Sequence, residues 1–316
     1  MSRGTTGFVC LLVGVVGGWA QVPVQPRIAP SARRAALPNL RVNTNLVLVP
    51  ISVTDASNRP VLGLNKSSFR IFDNNVEQQV ESLVFEDAPV GIAVVFDTSG
   101  SMDRKMPKSR VALGRLLETA NPEDEFCLIE FSDEARLARS WTSDPAEITR
   151  SLAGTAPRGR TALLDAIALA LRELKKSAKP RKAIVILSDG GDNRSRLTER
   201  ELRSMARESD ALIYAMGIFE GIGIQLSLEE LAGPGLLEEI TEASGGRLFP
   251  VSDVNHLPEI AARIGVELHN QYVVAYSPSA TQHDGRHHRL RVEVLPPAGN
   301  SSLNVDWRAG YRAPIQ

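Results

Sequence analysis

Cysteine is nearly absent: the 316 residues hold only Cys10 and Cys127. Loss of an N-terminal leader would leave Cys127 alone, which excludes a disulfide framework. Cys127 lies in an apolar run, Phe126-Cys-Leu-Ile-Glu-Phe131, with no base close in sequence, and reads as a buried free thiol. Excess charge is lacking too. A formal net charge of −1 argues against a nucleic-acid partner, and no basic run is long enough for a polybasic membrane anchor. No apolar segment beyond the N-terminus reaches spanning length. There is no Gly-x-x-x-x-Gly-Lys-Ser/Thr phosphate loop. The five histidines mostly crowd one C-terminal turn, His283, His287 and His288, so no Ser/His/Asp set can be placed. That turn reads as an exposed hairpin, with a transition-metal site as the rarer alternative.

What is present is a long chain, 43% hydrophobic, with room for one large or two modest domains. Arg3 precedes the apolar run Gly7–Gly17, and Gly18-Trp19-Ala20 offers small residues where a signal peptidase reads. Residues 1–20 are therefore expected to be a secretory signal cleaved after Ala20, with a retained membrane anchor as the alternative. The expected location is periplasmic or extracellular. Residues 21–40 carry Pro23, Pro26, Pro30 and Pro38 and read as a linker.

Three patterns follow. Residues 41–87 read as short strands separated by Asn/Asp turns such as Asp73-Asn-Asn75. Residues 90–271 alternate apolar strand runs (91–97, 126–131, 182–188, 211–217, 246–250) with helices. The clearest helix follows Thr161, with Leu163, Ile167, Leu171 and Leu174 on one face; another follows Asp253, with Leu257, Ile260, Ile264 and Leu268. Residues 272–316 return to strands. The expected fold is α/β, a doubly wound and mostly parallel sheet inserted in, or flanked by, a small β-sandwich built from 41–87 and 272–316. Contacts between Leu46–Thr54 and Leu290–Leu295 are expected from that arrangement.

The chemistry-bearing run is Asp97-Thr-Ser99-Gly-Ser101, directly after the strand-like Gly91-Ile-Ala-Val-Val-Phe96. In open α/β sheets ligands sit beyond the carboxyl ends of strands. A carboxylate and two hydroxyls there offer oxygen ligands suited to a hard divalent cation such as Mg²⁺. Two further segments share this character: Gly159-Arg-Thr161-Ala-Leu-Leu-Asp165, opening a helix, and Ile184-Val-Ile-Leu-Ser-Asp189-Gly-Gly-Asp192, ending a buried strand. Taken singly, each has a plain alternative. Thr161 suits a helix N-cap, Asp189 a turn, and Ser99 and Ser101 an ordinary serine turn.

Together these residues resemble the von Willebrand factor A-type domain, whose metal-ion-dependent adhesion site reads Asp-x-Ser-x-Ser, then Thr, then Asp. The matching positions are Asp97, Ser99, Ser101, Thr161 and Asp189, in family order. Phe131-Ser132-Asp133 and Gly217 add smaller agreements. The flanks are similar to a secreted acidobacterial group with a related domain, through Leu46-Val-Leu-Val49 and Gly310-Tyr-Arg-Ala-Pro314. The resemblance implies a non-enzymatic adhesion module. Its Mg²⁺ (or Mn²⁺ or Ca²⁺) would take up a Glu or Asp carboxylate from a protein partner. Asp103, Asp192 and Asn193 are candidates for supporting the site through water, Arg158 and Arg160 for steering an acidic ligand, and Glu220 for touching a partner. A permanent subunit of an envelope assembly and a metal-assisted hydrolase are the alternative readings.

Overall fold

The structure is a computed structural model. It describes residues 46–57, 59–86, 88–219, 228–278, 285–296 and 302–313, so the expected leader and linker (residues 1–40) lie outside the described residues. The first strands are β1 (Val47–Asp55), β2 (Phe69–Asp73), β3 (Val76–Gln78) and β4 (Val80–Glu86). The β2–β3 hairpin turns through Asn74 and Asn75, at φ of 49° and 66°. Both residues lie in the left-handed region that a tight hairpin turn demands and that asparagine tolerates.

The chain then enters the α/β layer. All eight residues of β5 (Val90–Asp97) are buried. A strand hidden on both faces reads as one continuous apolar run. Next come α1 (Met106–Glu118), β6 (Glu125–Phe131), β7 (Ala135–Thr142), α2 (Pro145–Leu152), α3 (Leu163–Leu174) and β8 (Arg181–Ser188). They are followed by α4 (Glu199–Glu208), β9 (Leu212–Ile218), α5 (Leu228–Ser244), β10 (Leu248–Val251) and α6 (Leu257–His269). The strand order is β10-β9-β8-β5-β6-β7, parallel except for β7. Alternate residues of β5 face opposite layers. Ile92, Val94 and Phe96 share a core with Leu113 and Leu116 of α1 and Ile264 and Leu268 of α6. Ala93 and Val95 share the other with Leu163, Ile167, Leu171 and Leu174 of α3, and with residues of α4 and α5.

After α6 the chain runs straight into β11 (Gln271–Tyr276), then β12 (His287–Val294), β13 (Leu303–Trp307) and β14 (Gly310–Arg312). These strands interleave with the first four into two four-stranded sheets, β13-β1-β11-β4 and β14-β12-β2-β3. Val49, Ile51 and Val53 of β1 share one core with Ile71, Tyr272, Val274, Leu290 and Val292. The α/β layer thus sits between two halves of one β-sandwich, as the fold expectation had it. In the ladders, β12 lies beside β2, and β1 lies beside β11 and β13. Residues 46–54 and 290–295 therefore share a core from opposite sheets rather than a ladder.

Two elements depart from the sequence reading. The edge strand β7 carries no apolar alternation, and several of its residues are exposed. Its place beside β6 is held by the ladder and by Arg136 pairing with the buried Glu130. His288, expected in an exposed hairpin, is instead buried in β12 with its Nδ1 2.8 Å from Asp73 Oδ1, while His283 lies outside the described residues. Cys127 is a buried free thiol, pushed up to about 12 chiefly by burial, which keeps it protonated and inert. No helix among the described residues is long and apolar enough to cross a membrane.

Candidate functional site

Strand order reverses beside β5: the chain moves to one side through β6 and returns to the other at β8. Such a switch point opens a crevice at the carboxyl ends of the strands. Asp97 closes β5 at that rim and is fully buried. Its Oδ1 accepts the Ser99 backbone N–H at 2.9 Å, and its Oδ2 accepts the hydroxyl of Ser188, the last residue of β8, at 2.6 Å. Ser99 and Ser101 begin a short 3-10 turn, with their hydroxyl oxygens 3.0 Å apart. Ser99 is buried and Ser101 exposed, so the pair runs from the crevice floor to solvent.

The Thr161 loop is tied to this rim by backbone bonds. Arg158 N donates to Thr98 O at 2.8 Å, and Gly100 N to Gly159 O at 3.1 Å. The β6 end joins in, as Thr98 N donates to Phe131 O, Ala162 N to Ser132 O, and Arg160 N to Asp133 Oδ1. Gly159, at φ +81°, lies so close to Asp133 that a Cβ there would fall 2.4 Å from the carboxylate. Only glycine serves at that point.

Thr161 is not the N-cap of α3. Ala162 holds that position without a side-chain cap. The work of capping falls to the loop after β8: Asp192 Oδ2 accepts Leu164 N at 2.9 Å, and Ser195 Oγ accepts Asp165 N at 3.0 Å. Asn193 Oδ1 accepts Thr161 N, and Asn193 N donates to Thr161 O, both at 3.0 Å. The Thr161 hydroxyl is thereby released from helix capping while its backbone is held on both sides.

Asp189 follows Ser188 and is largely buried. Its Oδ2 accepts the Lys105 ammonium at 2.9 Å. Gly190 comes next at φ +84°, and a Cβ there would press to 3.0 Å on the Gly233 backbone of α5. Asp97 and Asp189 are near enough to feel each other. Burial first, and the Asp189 charge second, push the Asp97 carboxyl up to about 7.

The structure thus gathers the loops carrying Asp97, Ser99, Ser101, Thr161 and Asp189 at one rim. The other candidates divide. Asp103 is exposed at the end of the 3-10 turn. Asp192 buttresses α3, and Arg160 is exposed beside Thr161. Glu220 lies outside the described residues. Ser188 and Lys105 were missed from sequence. Ser188 could have been read as the rim end of the strand before Asp189, whereas Lys105 carries no signal beyond its nearness to Ser101.

The donors fit a hard divalent cation. All are oxygens, two of them carboxylates in one crevice, where burial and then the Asp189 charge drive Asp97 toward protonation. Among the described residues no group of three or more His, Cys, Asp or Glu gathers as a metal cage. This oxygen set relies on hydroxyls instead.

Residues 92–191 match the family model of the von Willebrand factor type A domain. The chain carries a von Willebrand factor type A domain. Human inter-alpha-trypsin inhibitor heavy chain H4 is 31% identical over 178 residues, covering 51% of this chain and 19% of that protein. The chain therefore spans about a fifth of the length of that relative. Among solved structures, a von Willebrand factor type A protein from Catenulispora acidiphila superposes with a TM-score of 0.50 at 15% identity, over 86% of this chain and 74% of its own. Proximal thread matrix protein 1 from the mussel byssus also gives 0.50, at 21% identity, over 62% of this chain and 51% of its own. These likenesses show the fold of the A-type domain. The first also reaches well beyond residues 92–191.

Proposed function

We propose that this chain is an exported binding module that holds a divalent cation at the rim of its A-type domain and uses it to grip an acidic side chain of a protein partner. The supporting observation is Asp97: a fully buried carboxyl, beside a second carboxylate, at the end of the central strand. Isolated negative charge in such a place is costly. A cation repays that cost only if ligands are already arranged, and the Thr161 loop is already pinned to the Ser99 turn.

In this reading Asp97 and Asp189 supply charge, and Ser99, Ser101 and Thr161 supply neutral oxygens. Two negative charges leave a dication with little surplus anion around it. Mg²⁺ keeps exchangeable water, so an outside carboxylate can take one position. Arg158 and Arg160 are exposed next to Thr161 and favour approach of an acidic partner. The reading is one of binding, with no catalytic step.

The test is a pull-down from the native envelope with Mg²⁺, with EDTA and with Asp97→Ala. Partners retained only in the first condition support the proposal, and partners indifferent to all three overturn it. Calorimetric titration of the protein with Mg²⁺, Mn²⁺ and Ca²⁺ ranks the cations.

A further inference from the structure

Lys105 occupies an unexpected place for an ammonium. It is the N-cap residue of α1, where unpaired N–H groups and the positive end of the helix dipole disfavour a cation. Yet its side chain is only 14% exposed, and its Nζ lies 2.9 Å from Asp189 Oδ2. An ordinary surface lysine keeps its head in water. This one is turned inward, onto one of the two carboxylates of the crevice.

We infer that Lys105 is a built-in counter-cation, which neutralises Asp189 while the site holds no metal and is displaced when a divalent cation binds. This inference rests on the cation-binding reading above. The two positive groups compete for the same oxygen. Asp189 Oδ2 already receives an N–H from Lys105, and a dication brought into the crevice repels the ammonium at short range. Binding therefore carries the cost of releasing Lys105, so the site is weaker for cations than its oxygens alone would make it. In return, the metal-free domain is spared two unopposed carboxylates in one crevice. Release of Lys105 also delivers a positive charge to the rim beside the exposed Arg104, so cation binding and attraction of an acidic partner rise together.

The experiment uses the full chain as wild type, Lys105→Met and Lys105→Arg, each titrated calorimetrically with Mg²⁺ and melted in EDTA and in Mg²⁺. Lys105→Met keeps the length of the stem and removes the charge. It should bind Mg²⁺ tighter by about tenfold or more, the scale of one unit charge at short range across a partly hydrated site. It should also melt earlier than wild type in EDTA but not in Mg²⁺. Lys105→Arg should stay near wild type. Reductive methylation read by mass spectrometry supplies a separate measure, with Lys105 slow to react in EDTA and faster in Mg²⁺. If wild type binds Mg²⁺ but Lys105→Met binds equally or more weakly, or Lys105 reactivity ignores bound Mg²⁺, the inference is overturned while the cation site stands. If neither wild type nor Lys105→Met binds Mg²⁺, the cation-binding reading itself fails and takes the inference with it.

Discussion

Tyr311 donates its phenolic proton to Asp73 Oδ2 at 2.9 Å, across 238 residues of chain. Tyr276 donates to the same oxygen at 2.8 Å, and His288 Nδ1 lies 2.8 Å from the other. Four strands, β2, β11, β12 and β14, thus meet on one fully buried carboxyl inside the sandwich. Burial first, and then Tyr311 and Asp73, push the Tyr276 hydroxyl far up and keep it a donor. Tyr311→Phe removes one bond and should cost about 1 kcal/mol. Asp73→Ala removes the acceptor that three buried groups share, at about 1 kcal/mol for each bond broken, and should cost more than the single change. Urea unfolding of the two variants against wild type checks the order.

The glycine after Asp189 provides a second prediction. Gly190→Ala meets both a positive φ and the backbone of Gly233, neither of which can yield cheaply. A loss of about 1–3 kcal/mol is expected, together with weaker cation binding because Asp189 is carried by the same turn. Gly154→Ala, with open space around its Cβ, is the control and should change neither quantity. Thermal melts and Mg²⁺ calorimetry on both variants read the outcome.

Much of this architecture was legible in the sequence, for identifiable reasons. Strands buried on both faces along their centres, such as β5 and β8, carry unbroken apolar runs there and announce themselves, as does α3, whose apolar residues recur every three or four positions. The edge strand β7 hides because half of its environment is water and its partner strand, rather than its pattern, holds it. His288 read as solvated because the aspartate that buries it lies 215 positions away. At the site, acidic and hydroxyl residues at strand ends are visible as a motif. The tie from Lys105 to Asp189 spans 84 positions, and the bonds by which Asn193 and Asp192 hold the Thr161 loop and α3 span 32 and 28, with no periodicity to betray them.

Acid should weaken the cation site. The Asp97 carboxyl is raised to about 7 in the metal-free fold, above its value in an unfolded chain. A raised carboxyl favours the fold while protonated, and that contribution is lost as pH climbs through about 7. Cation binding requires the deprotonated form, so it must expel the proton below that pH. Apparent Mg²⁺ affinity should be flat above pH 8 and fall by about tenfold per pH unit below 7. A flat profile from pH 5 to 8 would overturn the coupling between Asp97 deprotonation and cation binding.

The seam between the two layers yields the last prediction. Arg247, just before β10, sends Nη2 to Glu267 of α6 at 2.6 Å and places Nη1 3.3 Å from Asp306 of β13. One guanidinium therefore joins the last helix of the α/β layer to an edge strand of the sandwich. Burial pushes both Glu267 and Asp306 upward, and Arg247 is the main force opposing it. Arg247→Ala leaves the buried Glu267 and the half-buried Asp306 without their cation, a loss approaching the roughly 3–5 kcal/mol of a broken buried pair. The sign of the pH effect follows. With Arg247 gone both carboxyls rise further, so their protonated forms suit the fold and their charged forms strain it. Destabilisation should thus be mild near pH 5 and grow toward pH 8. Because the seam couples two cores, calorimetry of the variant at pH 8 should resolve two unfolding transitions where wild type gives one. Arg247→Lys, which keeps a charge but not the forked geometry, should fall between the two.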